Sequence, residues 1–114
     1  MADLRDRTRE FSLRIIRLCS VLPLQRDADV IARQLLSSGT SPGAHFREAL
    51  RARSKAEYVA KINSGLLELE ETLYWLEILE GSGLMEPRRL EPLQNETSEL
   101  IAIFVSLIKK WRKP

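Results

Sequence analysis

A single cysteine, Cys19, leaves this 114-residue chain no partner for an intramolecular disulfide and suits a reducing compartment. A single histidine, His45, leaves no second imidazole for a histidine-rich metal site. No apolar run approaches the roughly 18 residues that a membrane-spanning helix needs. The opening MADLRDRTRE is too charged for the apolar segment of a signal peptide. These absences predict a cytoplasmic protein with no membrane partner. Five glycines and five prolines are few, and they fall in clusters that read as punctuation between helices.

What the chain has instead is helix-forming residues. It is 44% hydrophobic and 30% charged, rich in Leu, Glu, Arg and Ala. Its length is enough to bury a core without staples, so residues 1–114 are expected to form one domain. The net charge of +2 conceals a polarity. Residues 1–53 carry ten Arg against six acidic residues, whereas residues 66–107 carry nine Glu against Arg88 and Arg89. The final KKWRKP is basic again. Such segregation gives local fields that the whole-chain value hides.

Apolar spacing predicts four helices. Leu4, Phe11, Ile15, Leu18 and Leu22 mark one from about Asp3 to Val21, which Leu22-Pro23 ends. Cys19, beside this stripe, reads as an inert packed thiol. A second helix begins near Arg26 or Asp27, with Asp27 and Asp29 at its positive end. It then meets Gly39, Pro42 and Gly43, which admit two readings: a loop between short helices, or one kinked helix. In the kinked form Pro42 cannot bond the Ser38 carbonyl, nearby hydroxyls cover freed backbone groups, and the glycines let a neighbouring helix approach.

The third helix has the clearest start. Ser54 and Glu57 form a capping box, and Val59, Ile62, Leu66, Leu69, Leu73 and Leu76 alternate three and four apart. Gly81 is placed to end it in a left-handed cap. The fourth begins near Glu86-Pro87 and runs through Leu90, Leu93, Thr97, Leu100 or Ile101, Phe104, Leu107 or Ile108, and Trp111, with Pro92 near its second turn. Short links make consecutive helices antiparallel neighbours. The expected fold is an all-α, antiparallel up-down-up-down four-helix bundle.

No catalytic pattern emerges, and no catalytic residue, metal ligand or cofactor is expected. Glu68, Glu70, Glu71 and Glu77 lack the Glu-x-x-His pairs of di-iron bundles. His45 reads as a structural residue. Binding has more behind it. Arg47, Arg51, Arg53 and Lys55 surround the second connection, and Lys109, Lys110, Arg112 and Lys113 end the chain beside Trp111. An antiparallel bundle places these groups at one end, where they form a candidate phosphate-binding patch. Tyr58, Tyr74, Trp75 and Trp111 exceed what a two-helix seam requires and are candidates for a self-association interface.

Several of these residues also carry a family resemblance. Ser38-Gly-Thr-Ser-Pro-Gly-Ala44, Glu48-Ala49, Ala52-Arg-Ser54, Glu57-Tyr58, Lys61 and Glu71-Thr-Leu-Tyr-Trp-Leu76 resemble bacterial four-helix-bundle proteins related to the 23S rRNA intervening-sequence protein. His45 stands where that family commonly has Asn. The resemblance spans almost the whole chain and implies a ring-like homopentamer with no catalytic residues. It also implies a second helix that stays continuous through the Ser-Pro-Gly segment, kinked from about Arg26 to Arg53. Relatives include accessory variability proteins of diversity-generating retroelements, which bind nucleic acid and work with a reverse transcriptase. The partners this implies are further copies of the chain, RNA or DNA, and a reverse transcriptase. The alternative is a protein-interaction scaffold with no nucleic-acid role.

Overall fold

Asp3 starts the first helix: its Oδ1 accepts the backbone N–H of Asp6 at 2.9 Å, covering one of the donors a helix start leaves exposed. In the computed structural model, which describes residues 3–112, the elements are α1 (Leu4–Ser20), α2 (Arg26–Gly39), α3 (Pro42–Leu50), α4 (Lys55–Ser82) and α5 (Pro87–Arg112). α2 and α3 are two segments of one rod. Between them Thr40 (φ −98°, ψ −3°) and Ser41 (φ −90°, ψ −32°) stay near helical geometry, so the chain bends instead of running out as a loop. α4 packs against α2, α3 and α5, and α1 packs against α2 and α3 with a light contact to α5. The result is the expected up-down-up-down four-helix bundle with a kink at Pro42.

The kink is held by hydroxyls. Pro42 has no N–H to offer the Ser38 carbonyl. Thr40 and Ser41 donate to the carbonyls of Leu36 and Ser37, one turn back. The Gly39 carbonyl accepts from Ser12 of α1 at 3.1 Å. Ser38 donates to the Gln34 carbonyl and accepts from Thr72 of α4, both at 2.9 Å and both buried from solvent or nearly so. Among the described residues no buried side-chain polar atom lacks a partner.

Three boundaries differ from those expected. The second rod ends at Leu50 rather than Arg53, because the N–H groups of Arg51 and Ala52 bond three residues back to Glu48 and Ala49. That tightened last turn leaves residues 51–54 as a short connection. The capping box is shifted by one residue. Ser54 accepts the Glu57 N–H at 3.1 Å, but the Glu57 carboxylate takes the N–H of Arg53 rather than that of Ser54. Gly83, not Gly81, adopts the left-handed conformation, with φ 76°. Running α4 on through Ser82 leaves few residues to cross to α5 and brings Met85 into the core.

Phe11 and Ile15 of α1, Leu35 and Phe46 of the second rod, Ile62, Leu69, Leu76 and Leu79 of α4, and Leu90, Leu100 and Phe104 of α5 form the core. Each such side chain contributes ~1.5–3 kcal/mol relative to exposure. Two glycines set how closely the rods meet. A β-carbon on Gly39 would lie 2.7 Å from Ile15 Cγ1, and one on Gly65 would lie 2.6 Å from Phe104 Cε2. Both neighbours are buried and cannot swing away. Cys19 is half-buried, its Sγ 3.7 Å from the Ala32 carbonyl, and burial pushes its thiol up to about 11. No helix among the described residues is long and apolar enough to cross a membrane.

Two outcomes follow. Gly39→Ala or Gly65→Ala should lower stability to urea by ~1–3 kcal/mol. Gly81→Ala, whose β-carbon meets nothing within 4 Å, should leave stability unchanged or raise it by up to ~1 kcal/mol. Equal effects at all three sites would refute the packing account. Cys19 should alkylate about a hundredfold more slowly at pH 8 than a free cysteine, and its rate should climb with pH through about 11, because only the thiolate reacts. Mass spectrometry of a timed iodoacetamide reaction measures this.

Candidate nucleic-acid and assembly interfaces

The antiparallel arrangement brings the α3–α4 connection and the C-terminal turn of α5 to one end of the bundle. Trp111 is the link. Its ring lies 5.7 Å from that of Tyr58 at an interplanar angle of 60°, and the Lys55 ammonium sits 5.3 Å from its centroid. Tyr58 is half-buried against the core beneath it. Such contacts of aromatic and cationic groups are weakly favourable at a surface, about 0.5–1 kcal/mol each. They fix the end of α5 over the start of α4.

The sequence-predicted cations divide around this link. Arg53 and Lys55 line one groove with Trp111, Tyr58 and Leu50. Lys55 and Trp111 also line a second groove with Val59 and Asn63. Lys109 and Lys110 lie on a different side of α5, beside Ala102, Val105 and Ser106. Arg47 and Arg51 are exposed at the end of α3. Arg112 closes α5, while its side chain and Lys113 lie outside the described residues. Among the described residues none of Arg47, Arg51, Arg53, Lys55, Lys109 and Lys110 forms an ion pair. Two acidic groups stand near them: Glu57, which accepts the Arg53 backbone N–H, and Glu48. Glu48 Oε1 is 3.1 Å from His45 Nδ1 and 3.6 Å from Lys61 Nζ, and the His45 hydrogen bond, helped by Lys61, holds its carboxyl below the usual range.

The four aromatic residues divide into two pairs. Tyr58 and Trp111 mark the basic end. Tyr74 and Trp75 lie further along α4, edge to face with centroids 5.1 Å apart, the Trp75 indole N–H 3.4 Å from Glu71. Trp75 is half-buried against the core, whereas Tyr74 is 53% exposed. Tyr74 belongs to a stripe with Leu67 and Ile78, which are also exposed. Their spacing of seven and four places them on one face of α4, with exposed Glu70, Glu71 and Glu77 around them. Leu67 and Ile78 escape a sequence reading because they look like a widened core face. Only the directions of the neighbouring rods show that, among the described residues, these side chains stay exposed.

A second feature missed from sequence is a groove between α1 and α5, lined by Arg14, Arg17, Arg89, Leu18, Met85 and Pro92. Below it Arg7 closes the two helices: its guanidinium binds both oxygens of Glu96 at 2.7–2.8 Å and reaches Glu99 at 3.2 Å. The Glu96 hydrogen bond, partly offset by burial, raises the Arg7 pKa. Pairs 89 and 92 residues apart have no signature in local spacing. The acidic excess of residues 66–107 is thus partly met from within the chain. Among the described residues no group of three or more His, Cys, Asp or Glu is arranged to hold a metal.

Comparison with known proteins agrees with this architecture. The family model described as 23S rRNA-intervening sequence protein matches residues 2–106. The basic residues from Lys109 onward lie beyond that match. No curated protein matches the chain. It is similar to a crystal structure from Bacteroides thetaiotaomicron VPI-5482, a protein of unknown function from the S23 ribosomal protein family. The two share 36% identity and superpose with a TM-score of 0.88, over 94% of this chain and 99% of the other. With most of its length matched and its four-rod fold shared, the chain belongs to the 23S rRNA-intervening sequence protein family.

Proposed function

We propose that the protein is a non-enzymatic, self-associating accessory protein that binds nucleic acid at the end formed by the α3–α4 connection and the C-terminal turn of α5. The supporting observation is the convergence of Arg53, Lys55 and Trp111 in one groove, with cations that have no ion-pair partner among the described residues. Cations left open to solvent bind phosphate and release its counterions. A retroelement-type role beside a reverse transcriptase is the specific form of this reading. A protein-interaction scaffold is the second reading, and the exposed Leu67–Tyr74–Ile78 stripe favours it. Self-association, in the pentameric form that the family resemblance implies, is common to both.

Fluorescence anisotropy with labelled RNA and DNA tests the first reading. Affinity should fall steeply from about 50 to about 200 mM salt, and Arg53→Glu with Lys55→Glu should weaken binding about tenfold or more and flatten the salt dependence. Affinity indifferent to salt and to both reversals would remove the basic end from the account. Light scattering tests assembly. A mass near five times 13.1 kDa is expected, and Leu67→Glu with Ile78→Glu should shift it towards the monomer with helicity retained. A wild-type monomer at micromolar concentration would overturn self-association.

A further inference from the structure

Trp111 is 40% exposed, in the midst of cations, on a chain whose other tryptophan is half-buried against the core. It forms a wall of two open grooves at once. One, of about 330 Å³, holds Arg53, Lys55 and Tyr58, and the other, of about 420 Å³, holds Lys55, Val59 and Asn63. Both fall within the size range of small-molecule sites. An exposed indole bordered by cations and a side-chain amide has the components of a base-stacking site: a flat apolar surface, positive charge for the adjoining phosphates, and a donor and acceptor for a base edge.

Resting on the nucleic-acid reading above, we propose that Trp111 is a stacking platform for an unpaired base, so that the ligand at this end is a single strand rather than a duplex. The Lys55 ammonium, 5.3 Å from the indole centroid, exchanges that contact for a phosphate when a base takes its place. Tyr58, tilted at 60° beneath the indole and packed on the core, keeps the platform in position. Asn63 lines the groove in which the base edge would lie. A duplex offers no match, because its bases are stacked on one another and their faces are closed to a side chain.

The test uses the full chain carrying Trp75→Phe, so that Trp111 is the sole tryptophan. Oligothymidylate and oligouridylate should quench its fluorescence and bind about tenfold or more tightly than a duplex of equal length. Trp111→Ala should lower single-strand affinity about tenfold or more and abolish the preference for single strand over duplex. Trp111→Phe should retain most of the binding. Trp111→Leu, which keeps an apolar cover over Tyr58, should bind as weakly as Trp111→Ala, separating stacking from a loss of local structure. Equal affinity for single strand and duplex, unchanged in Trp111→Ala, would overturn the platform and leave the basic end as a phosphate site. Absence of binding to any nucleic acid would remove both.

Discussion

Gly65 lies where the last three rods of the bundle converge. A β-carbon there would be 2.6 Å from Phe104 of α5 and 3.5 Å from the carbonyl oxygen of Pro42, the first residue of α3. Gly39 sets the matching approach of α1, whose Ile15 occupies the space a side chain would need. The bend at Pro42 is therefore a packing element. It puts a short, polar stretch of backbone where two neighbouring helices come closest. Hydroxyls cluster at the bend: Ser12 donates to the Gly39 carbonyl, Thr72 to the Ser38 hydroxyl, and Thr40 and Ser41 to the Leu36 and Ser37 carbonyls of their own rod. A proline in mid-helix usually costs ~3 kcal/mol or more. Here that cost is offset by apolar contacts that a straight helix with side chains at these positions would not permit.

The rods themselves were legible in the sequence because their signals are local. The Ser54 cap, the three-four alternation from Ile62 to Leu76 and Pro87 in a first turn each depend on residues within a turn or two of one another. What was less legible depended on the neighbours. Gly81 and Gly83 are equally able to adopt a left-handed cap, and the requirement that Met85 reach the core selects the second. Thr72 would pass for a polar interruption of an apolar seam until Ser38 is placed opposite it. The basic end was anticipated because helix connectivity alone predicts which ends meet. Its division by α5 was not, since that depends on the rotation of one helix about its axis. Nor was the α1–α5 groove, whose walls come from opposite ends of the chain.

The charge polarity has two structural fates. Along the α1–α5 seam it is spent internally, as Arg7 draws in Glu96 and Glu99. On α4, Glu70, Glu71 and Glu77 remain exposed around an uncovered apolar stripe, while the opposite sign collects at the α3–α4 connection and the end of α5. One face and one end of the molecule are thus distinguished by both charge and apolar exposure. These are the surface features open to partners, whereas the buried hydroxyls serve packing.

The light contact between α1 and α5 bears on how the bundle forms. α3–α4 and α4–α5 are hairpins between consecutive rods, joined by short loops that cost little entropy to close. Arg7 and Glu96, 89 positions apart, belong to the opposite case. Assembly outward from α4 leaves this pair among the last contacts made, and late contacts act on the rate of unfolding more than on the rate of folding. A contact made that late bears on how long a folded molecule lasts more than on how soon one appears.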